Sequence, residues 1–149
     1  MTDQPQPQMI FVNLPVSDLA ASRHFLEALG ATNEPKFSDE TAAMMRFSDS
    51  VNFILLTHDK FRMFTDREII DANRQVQALL ALSRTDRAHV DKSVDDAVSA
   101  GGTADPTPKQ DYGAMMYGRS VASPDGHIFE LMWMAPQVAE QGATAMAEV

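Results

Sequence analysis

The sequence predicts an α+β fold in which two βαβββ modules form a curled, open-barrel mixed sheet with helices on the convex side. Three observations predict it. The order strand, helix, three strands occurs twice along the 149 residues. Each helical stretch opens on a capping residue and stops at glycine, Gly30 in the first copy and Gly101-Gly102 in the second. Short motifs echo as well: Ala43-Met44-Met45 answers Ala114-Met115-Met116, and Asp49-Ser50 answers Asp125-Gly126, each pair before a last strand. A single unit of this kind exposes a sheet face that it cannot bury alone, so repetition matters. Two units, side by side or from two chains, would curl round a concave face that becomes a cavity.

The elements follow in order. Residues 1–8 are polar and Pro/Gln-rich, and read as a disordered N-terminus. From Met9 to Val16 the chain alternates as a strand, with Val12, Leu14 and Val16 on one face and Phe11 and Asn13 on the other. Ser17 or Asp18 caps a helix whose inward residues are Leu19, Leu26 and Leu29, with Phe25 beside them. Strands are expected near Thr32–Phe37, Thr41–Phe47 and Val51–Thr57. Thr65-Asp66-Arg67-Glu68 fits a capping box and predicts a short connector helix carrying Ile69 and Ile70. The second copy starts with a strand over Val76–Ser83. Thr85 or Asp86 then caps a helix with Val90, Val94, Ala97 and Val98 on one face. Strands are expected near Thr103–Pro106, Gly113–Ala122 and Gly126–Met134, and the tail past Pro136 frays or forms a terminal helix. The reading is one domain over 9–134, with modules at 9–58 and 76–134, a connector at 59–75 and a tail at 135–149.

Composition narrows the function classes. The net charge is -9, from 12 Lys+Arg against 21 Asp+Glu. A nucleic-acid groove must neutralise phosphates, so a nucleic-acid partner is not expected, nor is an anionic membrane surface. There is no cysteine, which excludes disulfides, thiolate ligands and cysteine nucleophiles. No apolar run reaches the ~20 residues of a membrane span, and the start lacks a signal-peptide pattern, so a cytoplasmic location is expected.

The stretch Ser123-Pro124-Asp125-Gly126-His127-Ile128-Phe129-Glu130-Leu131-Met132-Trp133 carries the chemistry. Pro124 to Gly126 is turn sequence, and a strand follows with one carboxylate, Glu130, in an apolar run. Burying a charge there costs free energy unless it is paired, bound to metal or turned to a wet cavity. A binding or catalytic site is the usual reason; a carboxylate merely held by an arginine is the bland one.

That stretch, with Tyr117-Gly118-Arg119-Ser120 before it and Phe11-Val12-Asn13-Leu14-Pro15-Val16-Ser17-Asp18-Leu19 at the start, resembles the vicinal oxygen chelate superfamily. This is the group of glyoxalase I, extradiol dioxygenases, fosfomycin-resistance enzymes and bleomycin-resistance proteins. The resemblance implies the paired βαβββ fold, a homodimer, and a small-molecule site. In metal-using members it also implies ligands from the first and last strands of each module, typically two histidines and a glutamate. Here those positions fall at Phe11, Ile54, Leu79 and Glu130. Phenylalanine, isoleucine and leucine cannot coordinate an ion, and a transition-metal site needs about three protein ligands. No cofactor is therefore expected; a divalent metal held by unplaced histidines is the lesser alternative.

Glu130 is the candidate general base, since a carboxylate in an apolar hollow is a stronger base than one in water. Tyr117 and Arg119 share strand parity and are candidate ligand anchors, Arg119 through its forked donors. The alternative for Arg119 is a structural ion pair. Asn13, Phe11, Ile54 and Leu79 complete the candidate ligand-binding set. The four histidines lack the i, i+4 spacing of a helical metal site, and the ten methionines are read as core. The expected function is a glyoxalase-like small-molecule binder without the metal, acting as a metal-independent lyase or isomerase or as a sequestering resistance-type protein. The alternatives are a metal-dependent lactoylglutathione lyase-like or dioxygenase-like enzyme, and a non-enzymatic interaction module.

Overall fold

The structure, a computed structural model, describes residues 6–146. Residues 1–5 of the expected disordered N-terminus lie outside the described residues, and 6–9 have no regular structure. The chain forms two compact units, Met1–Ile69 and Ile70–Val149.

The first unit contains β1 (Ile10–Val16), α1 (Leu19–Ala28), β2 (Thr32–Glu34), β3 (Ala42–Arg46), β4 (Val51–Thr57) and the short α2 (His58–Phe61). Of the two expected caps, Asp18 is the one used: its carboxylate accepts from the Ala21 N–H at 3.0 Å. Gly30, at φ +109°, stops the helix in a backbone region that glycine enters without penalty. Pro35 cuts the second strand short, since it lacks the N–H a ladder needs, and a 3-10 turn occupies Pro35–Phe37. The sheet order is β1-β4-β3-β2, with β1 parallel to β4 and the other pairs antiparallel.

One face of this sheet packs on α1. Phe25 and Leu26 of the helix are buried with Val16, Ala43, Met45, Phe53 and Leu55. By register Val12 and Leu14 share that face, as the alternation predicts. The other face carries Phe11, Asn13, Asn52, Ile54, Met44 and Arg46.

The expected connector helix does not form. Thr65 Oγ1 accepts from the Arg67 N–H at 3.2 Å, a turn contact, rather than capping toward Glu68. Asp66, Arg67 and Glu68 are exposed, so a helix there would have no apolar face to bury. The turn of helix is α2 instead, capped by Thr57 through the Lys60 N–H at 3.3 Å.

The second unit repeats the plan. It contains β5 (Leu79–Ser83), α3 (Arg87–Ser99), β6 (Thr103–Ala104), β7 (Gln110–Asp111), β8 (Met116–Ala122), β9 (Ile128–Met134) and α4 (Pro136–Gln141), with a 3-10 turn at Gly142–Met146. Its order is β5-β9-β8-β6, with β7 also on β8; β5 is parallel to β9, as β1 is to β4. Asp86 caps α3 through the His89 N–H at 2.7 Å.

Val90, Val94 and Ala97 are buried against Val121, Phe129 and Leu131. Val98, expected inward, is 42% exposed. Ser93 takes that place on the helix, donating to the His89 carbonyl at 2.8 Å and accepting from Arg84 Nε at 2.7 Å. The turn before β9 closes with the Gly126 N–H on the Ser123 carbonyl at 2.8 Å. Gly126 has φ +94°, and a Cβ there would lie 2.6 Å from backbone atoms of Ala72 and Asn73.

Candidate functional site

Each sheet has one face on its helix and one face turned away from it, and strand parity assigns every expected site residue to one or the other. In the second unit, Glu130 pairs with Ala81 of β5 and Ser120 of β8, and Leu79 pairs with Ile128. Glu130 and Leu79 therefore share the face away from α3, together with Gly118, Ser120, Ile128 and Met132. Glu130 is half-buried there, Leu79 is 51% exposed, and no neighbour in this set bears a charge. Among the described residues, Glu130 has no hydrogen bond and no ion pair.

In the first unit, Asn13 lies beside Ile54, and Phe11 beside Asn52, on the face away from α1. Phe11 is 44% exposed, and the Asn13 side-chain amide donates to the nearby Phe11 carbonyl at 3.2 Å.

Tyr117 and Arg119 do share parity, but on the opposite face of β8 from Ser120 and Glu130, toward α3. Arg119 Nη1 donates to Asp91 Oδ1 at 3.0 Å, while its Nε and Nη2 grip Asp105 at 3.1 and 2.8 Å. The Tyr117 hydroxyl donates to the same Asp91 oxygen at 2.7 Å. The Arg87 guanidinium stacks 4.1 Å over the Tyr117 ring and binds both oxygens of Asp111 at 2.8 and 3.0 Å.

Charge follows contact. The Tyr117 hydroxyl holds the Asp91 carboxyl below the usual range, with Arg119 adding to it. The Arg119 guanidinium does the same for Asp105, and Arg87 brings Asp111 to about 2. Burial, then the bond to Asp91, pushes the Tyr117 phenol up. Arg119 is thus committed to Asp91 and Asp105, not to Glu130. Its ring of bonds also pins Asp105, which sits at φ +53°, a conformation uncommon outside glycine.

Two residues missed by the sequence reading belong to the face away from α1. Arg46 and Asn52 are direct cross-strand partners on β3 and β4. Among the described residues, Arg46 Nε and Asn52 Oδ1 are both buried without a hydrogen-bond partner. The signal was present: Arg46 is the single charge in the Ala42–Arg46 strand, the same cue that marks Glu130.

Elsewhere on the first unit, a cleft of about 520 Å³ lies between α1 and the segment 38–43, lined by Arg23, His24, Glu27, Asp39 and Glu40. Several of its charges are already satisfied, Arg23 by Glu27 at 2.7 Å and Asp39 by the Thr41 amide and hydroxyl.

The ligand set of the metal-using proteins does not fit these residues. Phe11, Ile54 and Leu79 offer no donor, and Glu130 offers one carboxylate. Among the described residues, no three His, Asp or Glu side chains are grouped to hold an ion. No helix among them is long and apolar enough to cross a membrane.

Two βαβββ units, each with its first strand parallel to its last, define the glyoxalase/bleomycin-resistance/dioxygenase fold, and this chain has that fold. It is similar to a glyoxalase/bleomycin resistance protein/dioxygenase family enzyme from Burkholderia phytofirmans PsJN, at 17% identity and TM-score 0.69, over 83% of this chain and 96% of that one. It is also similar to a glyoxalase-related enzyme from Fulvimarina pelagi, at 22% identity and TM-score 0.69, over 86% and 88% of the two chains. A hypothetical protein from S. aureus matches at 23% identity and TM-score 0.70, over 87% and 96%. No protein-family model and no curated protein matches the sequence.

Proposed function

We propose that this protein is a glyoxalase-like binder of a small molecule that works without the metal centre, with Glu130 as the general base of a lyase or isomerase. One observation carries the reading: a half-buried carboxylate on the face of β9 away from α3, amid uncharged neighbours, with no hydrogen bond or ion pair among the described residues. A carboxylate so placed has its lone pairs available to a ligand, and a low local dielectric strengthens whatever polar contact it makes. As a base, one Glu130 oxygen takes a proton from carbon next to a substrate carbonyl. Where that carbon bears a hydroxyl, an enediolate results; returning the proton to the former carbonyl carbon, while the hydroxyl proton passes to the former carbonyl oxygen, completes an isomerisation with no net change in charge. Leu79, on the same face of the second unit's sheet as Glu130, serves in this reading as apolar lining, and the protein acts as a homodimer.

The names of the similar proteins, a glyoxalase/bleomycin resistance protein/dioxygenase family enzyme and a glyoxalase-related enzyme, support the same class. A thermal-shift screen of 2-oxoaldehydes, hydroxyketones and other small metabolites tests binding, because a ligand specific to the native state raises the melting temperature. Glu130→Gln is expected to keep the thermal shift while turnover of the hit falls about 10²- to 10⁴-fold. Full activity in Glu130→Gln would overturn the base. Stoichiometric Zn, Ni or Fe in protein purified without chelator, with activity lost on its removal, would overturn the metal-free reading.

A further inference from the structure

A single row of side chains crosses the first unit's sheet on the face away from α1: Phe11 on β1, Asn52 on β4, Arg46 on β3 and Thr32 on β2. The two ends of the row, Phe11 and Thr32, are exposed. Its middle is polar and unsatisfied. Asn52 is 0% exposed; its Nδ2 donates to the Ile10 carbonyl at 3.4 Å, while Oδ1 accepts nothing from the described residues. Arg46 is half-buried, its Nε is buried without an acceptor, and its guanidinium has no ion pair among the described residues.

Arg46 differs in this from the other arginines. Arg23, Arg62, Arg87 and Arg119 are each paired with a carboxylate, and Arg84 donates to Ser93 and the Ser83 carbonyl. Arg67 and Arg74 are exposed to water. A guanidinium N–H held away from water without an acceptor, as Arg46 Nε is among the described residues, is an arrangement that protein structures avoid, since native buried polar atoms nearly always have a partner. Here a donor and an acceptor are orphaned on adjacent strands. The group that satisfies both carries anionic oxygens for Arg46 and a neighbouring O–H or N–H for Asn52 Oδ1.

We propose that Arg46 and Asn52 anchor a small carboxylate bearing a hydroxyl or amino group on the adjacent carbon. The planar guanidinium takes the carboxylate oxygens, and the amide oxygen accepts from the adjacent hydroxyl or amine. Thr32 adds a hydroxyl at one end of the row and Phe11 an apolar surface at the other. The inference goes beyond the reading of Glu130 and does not depend on it, because it is tested by binding to the first unit's face without turnover.

The test is an NMR and thermal-shift titration of the full chain with glycolate, acetate, glycolamide and inorganic phosphate. Glycolate is expected to bind saturably and to move the Arg46 Nε–H resonance. Acetate, lacking the hydroxyl, should bind about 10-fold more weakly and glycolamide, lacking the charge, not at all. Arg46→Met should abolish glycolate binding. Arg46→Lys, which keeps the charge but not the planar fork, should weaken it about 10-fold and serves as the deciding variant if Arg46→Met does not fold. Four results would overturn the proposal: no saturable glycolate binding, binding unchanged in Arg46→Lys, phosphate binding as tightly as glycolate, or a ligand-free Arg46 Nε–H already bonded to Asn52.

Discussion

Replacing Gly126 with alanine isolates how the closing turn is held against residues 72–73 at the start of the second unit. Two separate costs follow from the structure. The first is conformational: φ is +94° at Gly126, and a side chain there costs about 1–2 kcal/mol. The second is contact: the new Cβ would sit 2.6 Å from the Ala72 carbonyl carbon and the Asn73 nitrogen, backbone atoms that cannot rotate away as a side-chain tip could. Relieving such overpacking costs typically about 1–3 kcal/mol. Together the loss is about 2–5 kcal/mol, which in a chain of this size lowers Tm by on the order of 10 °C. Gly30→Ala is the matched control, because Gly30 has φ +109° but nothing within 4 Å of the added Cβ. It should show only the conformational part, about 1–2 kcal/mol. Differential scanning calorimetry of both variants separates the two terms. Equal Tm losses in Gly126→Ala and Gly30→Ala would refute the claim that residues 72–73 pack tightly on the turn.

Arg119→Met should destabilise the protein by about 1–3 kcal/mol, less than the figure for a fully buried pair because Asp91 remains half-exposed. Urea unfolding monitored by circular dichroism measures it, and a loss under 0.5 kcal/mol would contradict a structural role. The same variant changes acid sensitivity. Asp91 and Asp105 have lowered pKa values in the folded chain, so their contribution is complete above the ordinary Asp pKa, about 3.9, and is lost as pH falls through the lower folded values. Stability of the parent should therefore drop more steeply below about pH 4 than that of Arg119→Met, and parallel pH profiles would count against the pairing. Asp86→Ala, which leaves the His89 N–H of α3 without its cap, should cost about 1 kcal/mol, whereas Asp95→Ala, uncommitted to any cap, should cost under 0.5 kcal/mol.

What was legible in the sequence was what short-range chemistry decides. Asp18 and Asp86 cap the helices that they precede, and Gly30 and Gly101 stop them at positive φ, because each motif closes within one turn of chain. The split of Phe129 and Leu131 from Glu130 follows from a period of two, and so does the shared face of Phe11 and Asn13. The doubled βαβββ order was legible for the same reason: it is a sum of local signals repeated. The Thr65 box shows where local signals stop. Its residues match the capping pattern, yet helix formation needs an apolar face to pack, and the exposed 66–68 segment has none.

Tertiary structure alone decided the partners of each charge. Arg119 could as well have faced a ligand or Glu130. Its commitment to Asp91 and Asp105 depends on α3 crossing β8 and on the chain between β6 and β7 folding back, contacts spanning 28 and 14 residues. The short β7 strand, unmarked by any hydrophobic alternation, exists where Arg87 on α3 holds Asp111. Likewise the pairing of Arg46 with Asn52 arises from the β3–β4 register, and the solitude of Glu130 from which side chains the β5 and β8 registers set beside it. Residue type and spacing select a face, since the backbone repeat is fixed by the peptide itself. They do not select a neighbour, because electrostatic partners meet through distances that only the folded chain brings to a few ångströms.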